Sequence, residues 1–357
     1  MSLRRLLSPL KPLVRGIRSG KAAAAVLSVA VRSRWAAGLY CLLGGQWDRE
    51  QRAVLHGRLA HLRGSAGDDD APLRFALQRN THRLEKGLIM RPRRDVFARD
   101  YILETVRLYA GLADRTPAGA PGAELLAYSH DVLKEYFAVA GSDPVVDRAR
   151  AEFEKAPPPP CRTIGARVPH PPETSPLPVG YDELMQLALR RRSVRWYLQK
   201  PVPREVIDRA IAVAALSPSA CNRQPFEFRI FDDPDLVRQV ASIPAGTRGF
   251  EHNFPCIVAL VGKQRAFLLE RDRHVIYIDS ALAAMAFLFA LQVQGVSSCC
   301  INWPDIPDLE RKMARTLGLA PDERVTMLIS LGYADPEGLV PFSQKKTLDE
   351  LRSYNRT

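Results

Sequence analysis

Apolar positions change their spacing along the second half of the chain. Val206, Ile207, Ala210, Ile211, Ala214 and Ala215 recur with helical period behind Pro203, a residue suited to a first helical turn. The stretch 226-FEFRIF-231 alternates as a half-buried strand does, and 256-CIVALVG-262 is apolar throughout, as expected of a central strand covered on both faces. A long apolar helix is predicted over 276–294, ended by Gly295. A short strand at 297–301, a helix at 307–317 closed by Gly318, and a strand at 324–332 follow. A further helix is predicted over 181–191. Strands and helices mix in one unit, so the expected class is α+β.

Upstream the pattern is helical only. Segments 71–90, 100–112, 123–141 and 143–156 carry helical character with no competing alternation. His82, Arg83, Glu85 and Lys86 form a dense polar cluster on the first, fitting a solvated face with local ion pairs, or a site wall. Residues 156–180 contain nine prolines and read as a semi-rigid linker. The expected organisation is a basic tail (1–38), a helical domain (39–155), the linker (156–179) and a second domain (180–357).

Composition adjusts this picture in two places. The net charge is +12, yet residues 178–357 hold 23 Lys and Arg against 21 Asp and Glu. Residues 1–38 hold eight basic residues (Arg4, Arg5, Lys11, Arg15, Arg18, Lys21, Arg32, Arg34) and no acid. The excess charge therefore belongs mainly to a tail, which argues against a nucleic-acid groove on the globular part. The tail's apolar run 22-AAAAVLSVAV-31 is too short to span a bilayer, which takes about 20 residues. A floppy basic end, a transit peptide and a membrane-surface segment stay open for it. Six cysteines without a CxxC pair or a His/Cys ligand pattern predict a reduced, cytoplasmic protein with no structural metal, membrane-associated only through residues 1–38.

The candidate chemistry starts at 190-RRRSVR-195. Guanidinium forks suit a phosphate, and a local helical turn would put Arg191 and Arg195 on one face. The loop 217-SPSACNRQPFEF-228 supplies the amides of Asn222 and Gln224, which can read a heterocycle offering donors and acceptors. The segment 295-GVSSCCINWPD-305 and the pair Lys345-Lys346 complete the set. No GxGxxG follows a predicted strand, and no catalytic triad is visible; His252 and His274 read as ordinary polar residues.

Taken in order, 191-RRSVR-195, 218-PSACNRQPF-226, the helix ending at Gly295, 297-SSCC-300, 332-GY-333 and 345-KK-346 resemble the FMN-dependent nitroreductases over about residues 180–355. The resemblance implies a homodimeric fold with a central mixed or antiparallel sheet flanked by helices, and FMN at the subunit interface. It implies cofactor contacts from Arg191, Arg192, Ser193, Arg195, Ser219, Asn222, Gln224, Cys300, Ile301, Asn302, Lys345 and Lys346. The flavin N5 would carry the chemistry, with no catalytic side chain. NADH or NADPH would serve as transient donor, and a nitroaromatic, quinone or related small molecule as acceptor. A specialised member (a reductive dehalogenase, a dehydrogenase or a flavin-consuming enzyme) and a non-catalytic binding module are the alternatives. Cys300 stands where that family usually has an aromatic residue, and Asn302-Trp303-Pro304 replaces its usual turn, so the pocket wall differs. No resemblance covers residues 1–155.

Overall fold

The computed structural model describes residues 20–44, 48–63, 70–161 and 167–356. Arg4, Arg5, Lys11, Arg15 and Arg18 of the basic tail lie outside them. The chain begins its described course with α1 (Gly20–Ala30), α2 (Arg34–Gly44) and α3 (Asp48–Arg63). Helix α2 runs across position 38, so the boundary expected there does not coincide with a break in secondary structure. Next come α4 (Ala71–Leu88), α5 (Ile102–Ala113), α6 (Ala123–Val139) and α7 (Pro144–Glu154), each within a few residues of its predicted span. Asp143 starts α7 by accepting a hydrogen bond from the Val145 amide, with Pro144 in the first turn. Leu77, Leu84, Ile102, Val106, Tyr109, Leu126, Leu133, Tyr136, Val146 and Ala149 form one buried cluster among α4–α7.

The proline-rich stretch has no regular secondary structure over its described residues. It is tied to the helical unit at both ends of its first half: Tyr109 donates to the Pro157 carbonyl, and the Arg167 amide donates to Asp131. Residues 170–180 are exposed.

The second unit consists of α8 (Tyr181–Arg190), α9 (Arg204–Ala214), β1 (Phe226–Phe231), α10 (Pro234–Ala241), β2 (Cys256–Lys263), α11 (Val275–Val293), β3 (Ser297–Ile301), α12 (Pro307–Leu317), β4 (Glu323–Gly332) and a short α13 (Leu348–Leu351). The sheet order is β1-β2-β4-β3 and every named pair is antiparallel, with Phe226 opposite Gly262 and Ile301 opposite Leu328. Only the isolated bridge between Ser193 and Ser298 is parallel among the described residues.

The unbroken apolar run of β2 has a plain cause. Ile257, Ala259 and Val261 pack on one face with Val237 and Val240 of α10 and Met313 of α12. Cys256, Val258 and Leu260 pack on the other with Ile207 and Ala210 of α9 and Phe287 and Leu291 of α11. Both faces are covered, so both side-chain parities are apolar. Gly295, at φ +77°, takes the left-handed conformation that releases the chain from α11 into β3. The stretch Glu270–Val293 has the length and mean hydropathy (1.8) of a membrane span, but here it is the core helix that lies against the sheet.

Helix α3 is docked on this second unit. Gly57 approaches so closely that a Cβ there would lie 2.5 Å from the Gln264 Cβ. Its neighbour His61 bonds the Arg265 carbonyl at 2.9 Å.

Candidate functional site

The arginine cluster is not helical where the chemistry lies. Helix α8 ends at Arg190, and residues 191–195 are extended, bridging to β3 through Ser193 and the Val194 amide, which donates to the Ser298 carbonyl at 3.1 Å. This corrects the helical-turn expectation: period two, not period 3.6, decides which side chains share a face. Arg191, Ser193 and Arg195 therefore point together, and all three act on the Cys299 thiol. Arg192 points away, donating to the carbonyls of Pro341 and Phe342.

The backbone of this segment is held firmly. Asn253, 7% exposed, donates through Nδ2 to the Arg195 carbonyl and accepts from the Tyr197 amide, both at 2.8 Å. The Tyr197 hydroxyl donates to the Val194 carbonyl at 2.7 Å and meets the Ser330 hydroxyl at 2.9 Å. Burial raises the Tyr197 phenol, which stays protonated as a fixed donor.

Cys300 is exposed on the same strand, and Ile301 is buried. Protein packed around the Cys300 thiol pushes it up to about 11, with Cys299 adding to the rise and Arg191 opposing it. The thiol is held in the neutral form.

The second group sits on the loop before β1. The Ser219 hydroxyl accepts from the Gln224 amide, and the Gln224 side-chain amide donates to Asn222 Oδ1, both at 3.1 Å. Cys221, Asn222 and Gln224 all have left-handed backbones, at φ 53°, 54° and 48°. Non-glycine residues there cost about 1–3 kcal/mol each, a strain concentrated where function needs a fixed presentation. The loop is pinned to the start of α11: the Ala220 amide donates to Asp279 Oδ2 at 3.0 Å, and Ser217 donates to the Leu282 carbonyl. Asp279 is 3% exposed, and burial raises its carboxyl despite the Ala220 bond and nearby Arg223.

These two groups are anchored near different ends of α11. The loop is fixed beside Asp279, while 191–195 lie against β3, beyond Gly295. From Asp279 to Gly295 the chain advances about 24 Å along α11. Lys345 and Lys346 are exposed and have no ion pair among the described residues. They lie three to four residues beyond Phe342, where Arg192 anchors the chain, which keeps them within about 14 Å of Phe342. Asn302 is exposed at the end of β3.

A further constellation was not visible in the sequence. Arg324, 3% exposed, donates to Glu50 of α3 at 2.9 Å and to Asp305 at 3.1 Å, with Glu310 at 3.5 Å. Tyr277 also donates to Glu50, Arg49 bonds Glu310 at 2.8 Å, and the Trp303 indole donates to Glu310. The turn 302–305 that follows β3 is thus braced from α3. Spacing gives no hint of partners more than 250 positions apart; the single cue was Trp303 in place of the family's usual turn.

The donor chemistry of the first group fits a phosphate, since neither Arg191 nor Arg195 has an ion pair among the described residues; Arg195 makes a 3.5 Å contact to the Ser193 carbonyl and lies 5.8 Å from the Phe250 ring centroid. The second group fits a polar ring edge.

An antiparallel sheet with helices on both faces, and an arginine–serine–arginine strip beside edge strand β3, make up an α+β unit with donors suited to an anionic ligand. Residues 188–247 and 242–333 match the family described as the Nitroreductase family. Iodotyrosine deiodinase 1 of Pongo abelii is 25% identical over 197 residues, covering 47% of this chain and 67% of that protein. Iodotyrosine deiodinase of Nematostella vectensis is 23% identical over 191 residues, covering 45% and 71%. Among solved structures, an FMN-dependent nitroreductase from Clostridium difficile R20291 aligns with a TM-score of 0.42 at 21% identity, covering 48% of this chain and 99% of that one.

Proposed function

We propose that this chain is an FMN-dependent oxidoreductase acting as a homodimer. The observation that carries the reading is the shared face of Arg191, Ser193 and Arg195 along an extended segment next to β3. When bound, FMN would supply hydride transfer at N5 between NADH or NADPH and a nitroaromatic, quinone or related acceptor. Arg191 and Ser193, with Lys345 and Lys346 from the C-terminal segment, would hold the phosphate; Arg192 acts indirectly, by fixing that segment. Arg195 would place a fixed positive charge at the electron-rich edge of the ring, favouring its reduced form electrostatically. The backbone of Cys300, Ile301 and Asn302 would line the ring, and Asn222 and Gln224, with Ser219 shaping their loop, would address its polar edge.

Separation of the two groups along α11 supports a dimer, in which a partner's loop reaches a site anchored at the other end of α11 from the chain's own loop. Apolar side chains left in solvent support it as well. Helix α8 has no buried residue despite its Leu184, Met185 and Leu189, and α11 exposes Ile278, Leu282 and Met285. A membrane-surface contact through the N-terminal region is consistent with exposed Leu27, Trp35 and Leu39 beside Arg32 and Arg34.

A second reading has its own support: relatives named iodotyrosine deiodinase favour a specialised reductive dehalogenation. The purified chain is expected to be yellow, to sediment as a dimer, and to bleach anaerobically with NADH or NADPH. Reoxidation by a nitroaromatic or quinone supports the first reading, and halide release from a halogenated aromatic the second. Colourless protein that takes up no added FMN would remove both.

A further inference from the structure

The helical unit contributes a side chain to the surroundings of the strained loop. Phe75 of α4 packs with Ala220, Phe267 and Ile276. Arg79 lies one helical turn further along the same face of α4. Arg223 stands between left-handed Asn222 and Gln224, with its guanidinium 4.8 Å from the Phe267 ring centroid. The loop thus offers two amides and, between them, a cation turned toward the helical unit.

Neither Arg79 nor Arg223 forms an ion pair among the described residues, and each is only partly exposed. Two carboxylates face Arg223 without a direct ion pair to it: Asp279, which accepts the Ala220 amide, and Asp272, which lies 3.9 Å from Arg271. Burial disfavours the Arg223 charge, the Cys221 thiol and Asp272 offset this only partly, and Arg79 adds repulsion. Two like charges kept together in partly buried surroundings call for an anion, and guanidinium forks match carboxylate or phosphate oxygens.

We infer that Arg79 and Arg223 form a recognition site for the carboxylate or phosphate group of the acceptor, so that a helix outside the nitroreductase-family match selects anionic substrates. This rests on the flavin reading above, which places the loop of Asn222 and Gln224 at the ring. The helical unit then acts as a specificity element, and the neutral acceptors of a general reductase are poor substrates.

The test compares 4-nitrobenzoate, 4-nitrophenyl phosphate and neutral 4-nitrobenzyl alcohol, by calorimetry on the full chain with saturating FMN. At least one anionic probe should bind tenfold or more tightly than the alcohol, and whichever wins identifies the group. Arg79→Gln and Arg223→Gln should each erase most of that preference while leaving the alcohol unchanged, and Arg79→Lys should keep part of it. Equal binding of all three probes by the native chain overturns the proposal, with no variant needed. A preference that survives both substitutions overturns it too, as does an effect confined to the KM for NADPH. FMN uptake is read in the same cell, so a chain that takes up no flavin but shows the arginine-dependent preference refutes the flavin reading and keeps the anion site.

Discussion

Arg191 and Arg192 are adjacent and chemically identical, yet an extended backbone sends them to opposite faces. Arg191 has no carboxylate partner among the described residues, whereas Arg192 is spent on the Pro341 and Phe342 carbonyls. Arg191→Ala should weaken FMN at least tenfold, about 1.4 kcal/mol, in a fluorescence titration. Arg192→Ala should act less, and through the order of residues 341–346; equal losses would contradict the assignment of faces. The Arg-x-Ser-x-Arg run stands out in the sequence next to a helix end, and it pointed to a phosphate only together with the later segments. Its geometry was not legible. A spacing of four suits a helical turn, and only pairing with β3, over 100 positions away, makes the segment extended.

Elements with strong periodicity were read almost to the residue. Strand β1 alternates, β2 is apolar because helices cover both its faces, and α11 stops at a glycine. The docking of α3 went unread, since what anchors it is a close glycine contact and polar groups rather than an apolar stripe. Its Glu50 meets a guanidinium that is 3% exposed, so losing it leaves a buried charge undercompensated. Because Glu310 and Asp305 remain, Glu50→Ala should cost about 2 kcal/mol in chemical denaturation rather than the 3–5 kcal/mol typical of breaking a lone buried pair. An unchanged midpoint would show that the contact is incidental. Short α10 was also missed: its Asp233 cap and Pro234 start are local signals, overshadowed by the strands on either side.

At the scale of the whole molecule, two separate cores, one among α4–α7 and one around the sheet, are joined by α3 and by the packing of Phe75 on the loop before β1. The helical unit and the sheet-bearing unit are therefore in direct contact through α3 and Phe75. The anchorage of the two ligand groups at opposite ends of α11 has a consequence for mixed assemblies. If each pocket borrows its amide loop from the neighbouring protomer, defects in the two groups complement one another. Co-expressed chains bearing Arg191→Ala on one and Asn222→Ala on the other would pair to give one doubly damaged pocket and one wholly native pocket. Such hybrids should recover about half the native flavin content per dimer, while either variant alone stays depleted. A chain that closes its pocket by itself would show no such rescue.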